Sequence, residues 1–534
     1  MRKTLILLMV LLILVPAAVV MAGGQKESAQ AQAGPRKVMK VGVANFAWRW
    51  DPAVKYSNNT AQMHINMHDG LVRVSPYQVP FEIRPSIAES WEEISDTVVE
   101  FKLRDAKFWD GTDVTAEDVA WSINRSLRGD HPRYSSYVGR WGYNFEKVEV
   151  VDAKTVRVHL KRPDPLKYVM LAQTPASILS KDAYEAAGDP DKFFEHPVGC
   201  GPYRIADYKP DQYIKLERWD GYWGEQPPLD ELYYYSVPET SARITALMNG
   251  ELDFIVSVPP DQEIAIQGRK GIKSMGVTWD MFHVFALNAT REPLDDLNVR
   301  RAMNLAVDRE ALNESFWQGD GVVPTAFQYP GRMGYDPDWK VFEYNPEKAK
   351  KLVEESDYDG EPIELNFGAS YYLYIDQATQ AYAEMLKDVG LNVKLQYVED
   401  WGEREDPKDY VMTRSWSNPM YFPDMLGGFD PHWAPTSWPI ADGLNPLVGP
   451  GGKLRDEYMA LYDTARYGNS EDKRLEAYHE LVEFLNDKVA PWVILYQPRE
   501  FFAMADDIEW EVPVNYRPFT LPFRNDEDLK LKSR

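Results

Sequence analysis

Five carboxylates crowd one stretch of the chain, FKLRDAKFWDGTDVTAEDVAWSINR, from Phe101 to Arg125: Asp105, Asp110, Asp113, Glu117 and Asp118. Acids at this density are the material of a general acid–base pair or of a cation site. A calcium loop would place acids at alternate positions with Gly at the sixth and Glu at the twelfth, and the spacing here differs. The local signals are architectural. Asp110-Gly111 follows a strand and reads as a turn. Thr115-x-x-Asp118 is a capping box, with hydroxyl and carboxylate each satisfying the other residue's backbone N–H. Glu117 and Asp118 lie in the first helical turn, where the helix dipole favours negative charge. Val119, Ile123 and Leu127 then repeat at four-residue spacing on one helix face.

The remaining reactive groups are scattered. His64 and His68 stand four apart and fit one helix face, but no carboxylate completes a metal motif beside them. Cys200 sits between two glycines, a turn position suited to a buried thiol. The chain contains no Gly-x-Ser-x-Gly elbow. GPGGKL, Gly449 to Leu454, lacks the first Gly and the Ser/Thr of a phosphate loop. The residues thus predict no enzyme, no metal and no cofactor.

The elements that must position any site alternate along the chain. In TVVEFKLR, Val99, Phe101 and Leu103 form one face of a half-buried strand. KVEVVDAKTVRVHL reads as a hairpin, with Val148 and Val150 leading in, Asp152-Ala153-Lys154 turning, and Val156, Val158 and Leu160 leading out. Thr240 is the expected cap of a helix with Ile244, Leu247 and Met248 inside and Gly250 as its stop; LDFIV follows as a buried strand. Asn345-Pro346 opens another helix. DQATQAYAEMLKDVG is a helix and LNVKLQYV a strand. RLEAYHELVEFLNDKVAP is a late helix and WVILYQ a late buried strand. No internal repeat occurs. This mixture predicts an α/β protein of two or more lobes with mixed sheets.

Arg2 and Lys3, an apolar run from Leu5 to Val20 and the small residues Val20 and Ala22 read as a secretory signal peptide over residues 1–22, with a flexible polar tether over 23–36. No cysteine near that point offers a lipid attachment. The expected product is soluble and periplasmic. Net charge is −24 with one cysteine, 17 Trp and 31 Tyr. That charge argues against nucleic acid and anionic membranes as partners. With one cysteine there is no internal disulfide, so the core alone must hold the fold.

PSIAESWEEISDTVVEFKLRDAKFWDGTDVTAEDVAWSINRSL resembles the signature of the family 5 extracellular solute-binding proteins, the peptide receptors of bacterial ABC importers. PVGCGPYRIADY is similar to a Pro-Val-Gly-Thr-Gly-Pro-Tyr segment of that family, with Cys200 in place of Thr. LERWDGYWGEQPPLDELYYYSVPETSARITALMNGELDF, DDLNVRRAMNLAVDREALNESFWQGDG and APWVILYQPREFFAMADDI resemble later family segments in the same order. The resemblance implies a bilobed periplasmic-binding-protein fold of type II with an extra subdomain on the larger lobe. Its expected parts are a lobe 1 core from 37–80, 195–280 and 500–534, an extra subdomain over 81–194, and lobe 2 over 281–499. Crossings are expected near Trp279–Asn288 and Tyr496–Phe502, with ligand in the cleft between lobes that close like a hinge.

The resemblance further implies a monomeric receptor that passes an oligopeptide or dipeptide to ABC permease subunits at the inner membrane. Opines, oligosaccharides and metal chelates are alternative ligands within the family, and an exported hydrolase is the remote alternative. Three aromatic and irregular stretches supply candidate cleft residues. They are Asn45, Phe46, Trp48 and Trp50 in NFAWRWDP; Tyr371 in YYLYIDQ; and Arg414, Trp416, Tyr421, Asp424 and Asp430 in RSWSNPMYFPDMLGGFDPHW. In the family an Asp near this Trp pairs with a peptide's free amine. The Trp-x-x-Asp spacing is stretched here, leaving Asp424 and Asp430 as matches and Arg414 as the expected partner of a ligand carboxylate.

Overall fold

The alternation in TVVEFKLR survives in space: Val99, Phe101 and Leu103 of strand Val98–Leu103 are buried, and Lys102 is exposed. This strand lies in a four-stranded antiparallel sheet with Ala88–Ser95, Thr155–Leu160 and Phe145–Asp152. In this computed structural model the described residues are 37–45, 50–53, 58–128, 141–368, 373–398, 411–516, 518 and 520–532. The leader and tether expected over 1–36, and Phe46, Trp48 and Tyr371, lie outside them.

Val148, Val156, Val158 and Leu160 of the hairpin face inward, and Lys154 N–H donates to Asp152 across the turn. Val150 departs from expectation: it keeps its register opposite buried Val156 but is exposed, on the outer strand of the sheet. Helix Ala116–Arg128 packs beside this sheet with Val119 and Ile123 fully buried.

A seven-stranded sheet takes the order Ile272–Thr278, Arg499–Ala505, Phe254–Val258, Val38–Val43, Glu231–Ser236, Tyr213–Arg218, Tyr203–Lys209. Val38–Val43 runs parallel to both its neighbours, and the outer pairs are antiparallel. Helix Thr240–Met248 packs near Phe254–Val258 through Ile244 and Leu247. Here the expectation needs correction. Glu239 precedes the helix without a side-chain cap, Thr240 is its first residue, and Met248 is exposed; Gly250, at φ +73°, ends it.

A three-stranded antiparallel sheet follows, with Met281–Leu287 between Thr413–Pro419 and Trp492–Tyr496. Helices Leu297–Leu305, Arg309–Trp317 and Ile375–Asp388 pack on one face of it, around Phe285, Leu287, Val493 and Leu495. Asn345 caps helix Pro346–Glu354 by accepting from Lys348 N–H at 3.0 Å, as Asn-Pro predicts. Ile363–Gly368 and Val393–Val398 form a parallel pair. The late helix begins at Glu471, earlier than expected, because Ser470 caps it. The protein is thus α/β with mixed sheets. The chain passes from the seven-stranded to the three-stranded sheet at Thr278–Met281 and returns at Tyr496–Arg499.

Candidate ligand-binding site

The acidic stretch is built as a cap. Thr115 N–H donates to Asp118 at 3.0 Å, Asp118 N–H donates to the Thr115 hydroxyl at 3.3 Å, and the other Asp118 oxygen accepts from Lys181 N–H at 3.0 Å. Asp113 pairs with Lys107, which holds its carboxyl below the usual range, and Asp110 accepts from Thr112 N–H. Asp105 pairs with Lys154 and Glu117 with Lys181, so all five carboxylates close turns, cap a helix or pair with lysines.

His64 and His68 are buried with ring centroids 5.2 Å apart, and His68 stacks on Trp109 at 6.1 Å. Burial keeps both below the usual histidine range, His68 at about 3. Cys200 is buried, its thiol 3.6 Å from the Ile178 carbonyl, and burial pushes it well above the usual thiol range. The turn is tight: a Cβ on Gly201 would lie 2.3 Å from the Met67 carbonyl oxygen.

Strand Thr413–Pro419 is the outer strand of its sheet. Its pairing follows from two flanking bonds, Met420 N–H to Asp280 O at 2.8 Å and Asn288 N–H to Met412 O at 2.9 Å. In an antiparallel ladder bonded pairs alternate, so Arg414, Trp416 and Asn418 bond inward. The main-chain groups of Thr413, Ser415, Ser417 and Pro419 point away from the sheet. Pro419, which has no N–H, suits that outward position. Side chains alternate too: Trp416 and Arg414 share one face, and Ser415 is on the other, its hydroxyl 3.0 Å from His283 Nε2.

Trp416 is half-buried in an aromatic cluster. Its ring centroid is 5.6 Å from Trp433, 5.4 Å from Trp438 and 5.5 Å from His432. The Arg414 guanidinium lies 5.3 Å from the Trp438 ring centroid, and Tyr421 is buried with His432 5.8 Å from its ring. Asn418 braces the cluster by accepting from Trp433 Nε1 at 2.9 Å and donating to Gly428 O at 2.6 Å. His432, Trp433 and Trp438 are not among the residues expected from sequence. Their signal was present, since two lie in the quoted segment and the third is just beyond it.

The two acids of this segment are committed inside the protein. Asp424 is buried and paired with Arg474 at 2.9 Å; it also accepts from Leu426 N–H. Asp430 accepts from the Tyr462 hydroxyl and lies 3.8 Å from Arg466 Nε. Burial pushes the Asp430 carboxyl up, against the pull of Arg466. Asp424 thus has a full internal counter-charge, whereas Asp430 shares Arg466 with Asp164, which takes both terminal nitrogens of that arginine. Trp50 is fully buried, its ring edge-on to Tyr208, within the core of the seven-stranded sheet. Asn45 is exposed at the end of strand Val38–Val43.

The model for bacterial extracellular solute-binding proteins, family 5, matches residues 82–439. The chain belongs to that family. Among its relatives, the dipeptide-binding protein of Escherichia coli (strain K12) is 30% identical over 372 residues, 64% of this chain and 69% of that protein. The glutathione-binding protein GsiB of Salmonella choleraesuis is 26% identical over 467 residues, covering 84% and 86%. Among solved structures, the Helicobacter pylori periplasmic binding protein DppA in complex with peptide STSA superposes with a TM-score of 0.80, covering 93% of this chain and 99% of that one at 20% identity. The fold is therefore that of the periplasmic binding proteins. Family 5 solute-binding proteins are extracellular or periplasmic binders rather than enzymes. No described helix of this member is long and apolar enough to cross a membrane.

Proposed function

We infer that this family 5 solute-binding protein is the receptor of an ABC importer. It captures a short peptide outside the cytoplasmic membrane, as a monomer, and delivers it to the membrane permease. The observation that carries the reading is the outer strand Thr413–Pro419, whose Ser415 main chain points off the sheet beside the Trp416 ring. An extended peptide laid along such a strand gains main-chain hydrogen bonds with little demand on its side chains. Trp416 and Tyr421 flank the peptide, and Arg414 takes its carboxylate. The similarity to a dipeptide-binding and a glutathione-binding protein supports this ligand class. The test is a thermal shift against di- to pentapeptides. A ligand at 100 times its Kd raises stability by about 2.7 kcal/mol, and no shift with any peptide overturns the reading.

One observation favours a second reading. Asp424 is paired with Arg474 and Asp430 is held by the Tyr462 hydroxyl, so both acids of this segment are engaged within the fold, while a buried ammonium loses its water on binding and needs an anion. A neutral oligosaccharide, whose apolar ring faces stack on indoles, asks for no such anion. N-acetylated peptides and oligosaccharides in the same screen separate the two.

A further inference from the structure

Residues 281–496 hold their own sheets, and the two points where they join the rest of the chain lie side by side. Trp279 N–H donates to Pro498 O at 3.0 Å, and Gln497 Nε2 donates to Trp279 O at 2.8 Å. Two adjacent crossings form an axis about which one part of a chain can rotate against the other. Contacts that do not follow the chain across this axis then decide which arrangement is populated.

One such contact is a reciprocal pair of ion pairs. The turn after strand Thr155–Leu160 presents Arg162 and Asp164 to helix Arg455–Tyr467, which presents Asp463 and Arg466. Arg162 donates to both Asp463 oxygens, at 3.1 and 2.9 Å, and its guanidinium lies 3.4 Å from the Tyr467 ring centroid. Asp164 accepts from both Arg466 terminal nitrogens, at 2.5 and 3.0 Å, with those side chains only 2% and 5% exposed. Asp164 is set for this by Leu166 N–H and Asn144 Nδ2. The four-stranded layer carrying the turn is tied to the other side of the axis: Arg125 grips Asp51 at 2.9 and 2.5 Å, and Trp109 Nε1 donates to Gly201 O at 3.0 Å.

We propose that Arg162 and Asp164 on the four-stranded layer, with Asp463 and Arg466 on the facing helix, form a latch that sets the balance between closed and open arrangements of the chain. The chemistry suits a reversible catch. Separating a buried pair costs its Coulomb attraction but returns the hydration of both charges, so the net preference is small and the geometry specific. The latch also reaches the ligand-facing segment, because Arg466 lies beside Asp430. Residues remote from the ligand thereby tune how long it is held.

The experiment uses the half-exposed pair, Arg162 and Asp463, 38% and 40% exposed, so that the fold is spared. Spin labels are placed through Glu146→Cys and Asp472→Cys in the full unliganded chain; buried Cys200 does not take label. Pulsed dipolar spectroscopy then reads the distance distribution between the two sides. Arg162→Glu is expected to raise the long-distance population about two- to fivefold, the factor an ion pair of this exposure carries. The charge swap Arg162→Asp with Asp463→Arg is expected to restore the parent distribution. An unchanged distribution in Arg162→Glu overturns the latch, since the layer and the helix then move as one body. A shift that the swap leaves in place overturns it as well.

Discussion

Arg474 donates from Nη2 to both carboxylate oxygens of Asp424, at 2.9 Å each, with the Arg474 side chain 6% exposed and the Asp424 side chain fully enclosed. The pair fastens the Arg414–Trp433 segment to helix Glu471–Lys488. Asp424→Asn leaves Arg474 buried without its counter-charge. The expected cost is about 3–5 kcal/mol of folding stability, read by urea denaturation. The affinity ratio between free and N-acetylated peptide stays unchanged. A normal denaturation midpoint with lost preference for the free amine would instead return Asp424 to the ligand.

The capping box predicts a contrast between neighbouring residues. Thr115→Ala removes the cap of helix Ala116–Arg128 and costs about 1 kcal/mol. Asp113→Asn gives up only an exposed pair with Lys107. Its stability and ligand affinity stay within error of the parent, and a tenfold affinity loss in that variant would mean the acidic stretch binds ligand after all.

His283 is buried between Ser415 and the Tyr496 ring, and burial lowers it to about 3 from the ordinary 6.5. Its folded form stays neutral where the unfolded chain takes up a proton. The stability it contributes is therefore whole above pH 6.5 and drains as pH falls towards 3, at no more than about 1.4 kcal/mol per pH unit. Denaturation midpoints at pH 7.5, 6 and 5 should fall less steeply in His283→Gln than in the parent. Parallel slopes would show that folding does not shift the His283 titration.

Glu500, next to the returning crossing, has the opposite sign. Burial raises it from 4.5 to about 7, partly offset by Ser257, Trp279 and Arg243. Between these values the unfolded chain ionises while the folded chain holds its proton, so stability falls from pH 4.5 to 7 and is level above that. Glu500→Gln is expected to gain about 1–3 kcal/mol over the parent at pH 8, and nothing at pH 4. Equal differences at both pH values would contradict a protonated Glu500.

Trp416 separates the two ligand readings. In Trp416→Ala an oligosaccharide loses its stacking surface, worth about 1–3 kcal/mol, about fivefold or more in Kd. A peptide held by main-chain bonds along Ser415 loses less. Calorimetric titration of whichever ligand the thermal screen finds measures this, and an unchanged Kd would remove Trp416 from the site.

Much of this protein is local, and local physics was legible in the residues. The alternation of Val99, Phe101 and Leu103, the reciprocal bonds of Thr115 and Asp118 and the Asn345 cap each involve groups within a few residues, so spacing dictates geometry. Five long segments in order likewise fixed the family. The state of the acids in the Arg414–Trp433 segment was not legible. Whether Asp424 or Asp430 is available depends on Arg474 and Arg466, and the latch on Asp164, 302 positions before Arg466. A carboxylate looks the same in the sequence whether a ligand amine or an internal guanidinium will neutralise it. Burial makes one counter-charge obligatory, and only the packing of distant helices decides which one arrives.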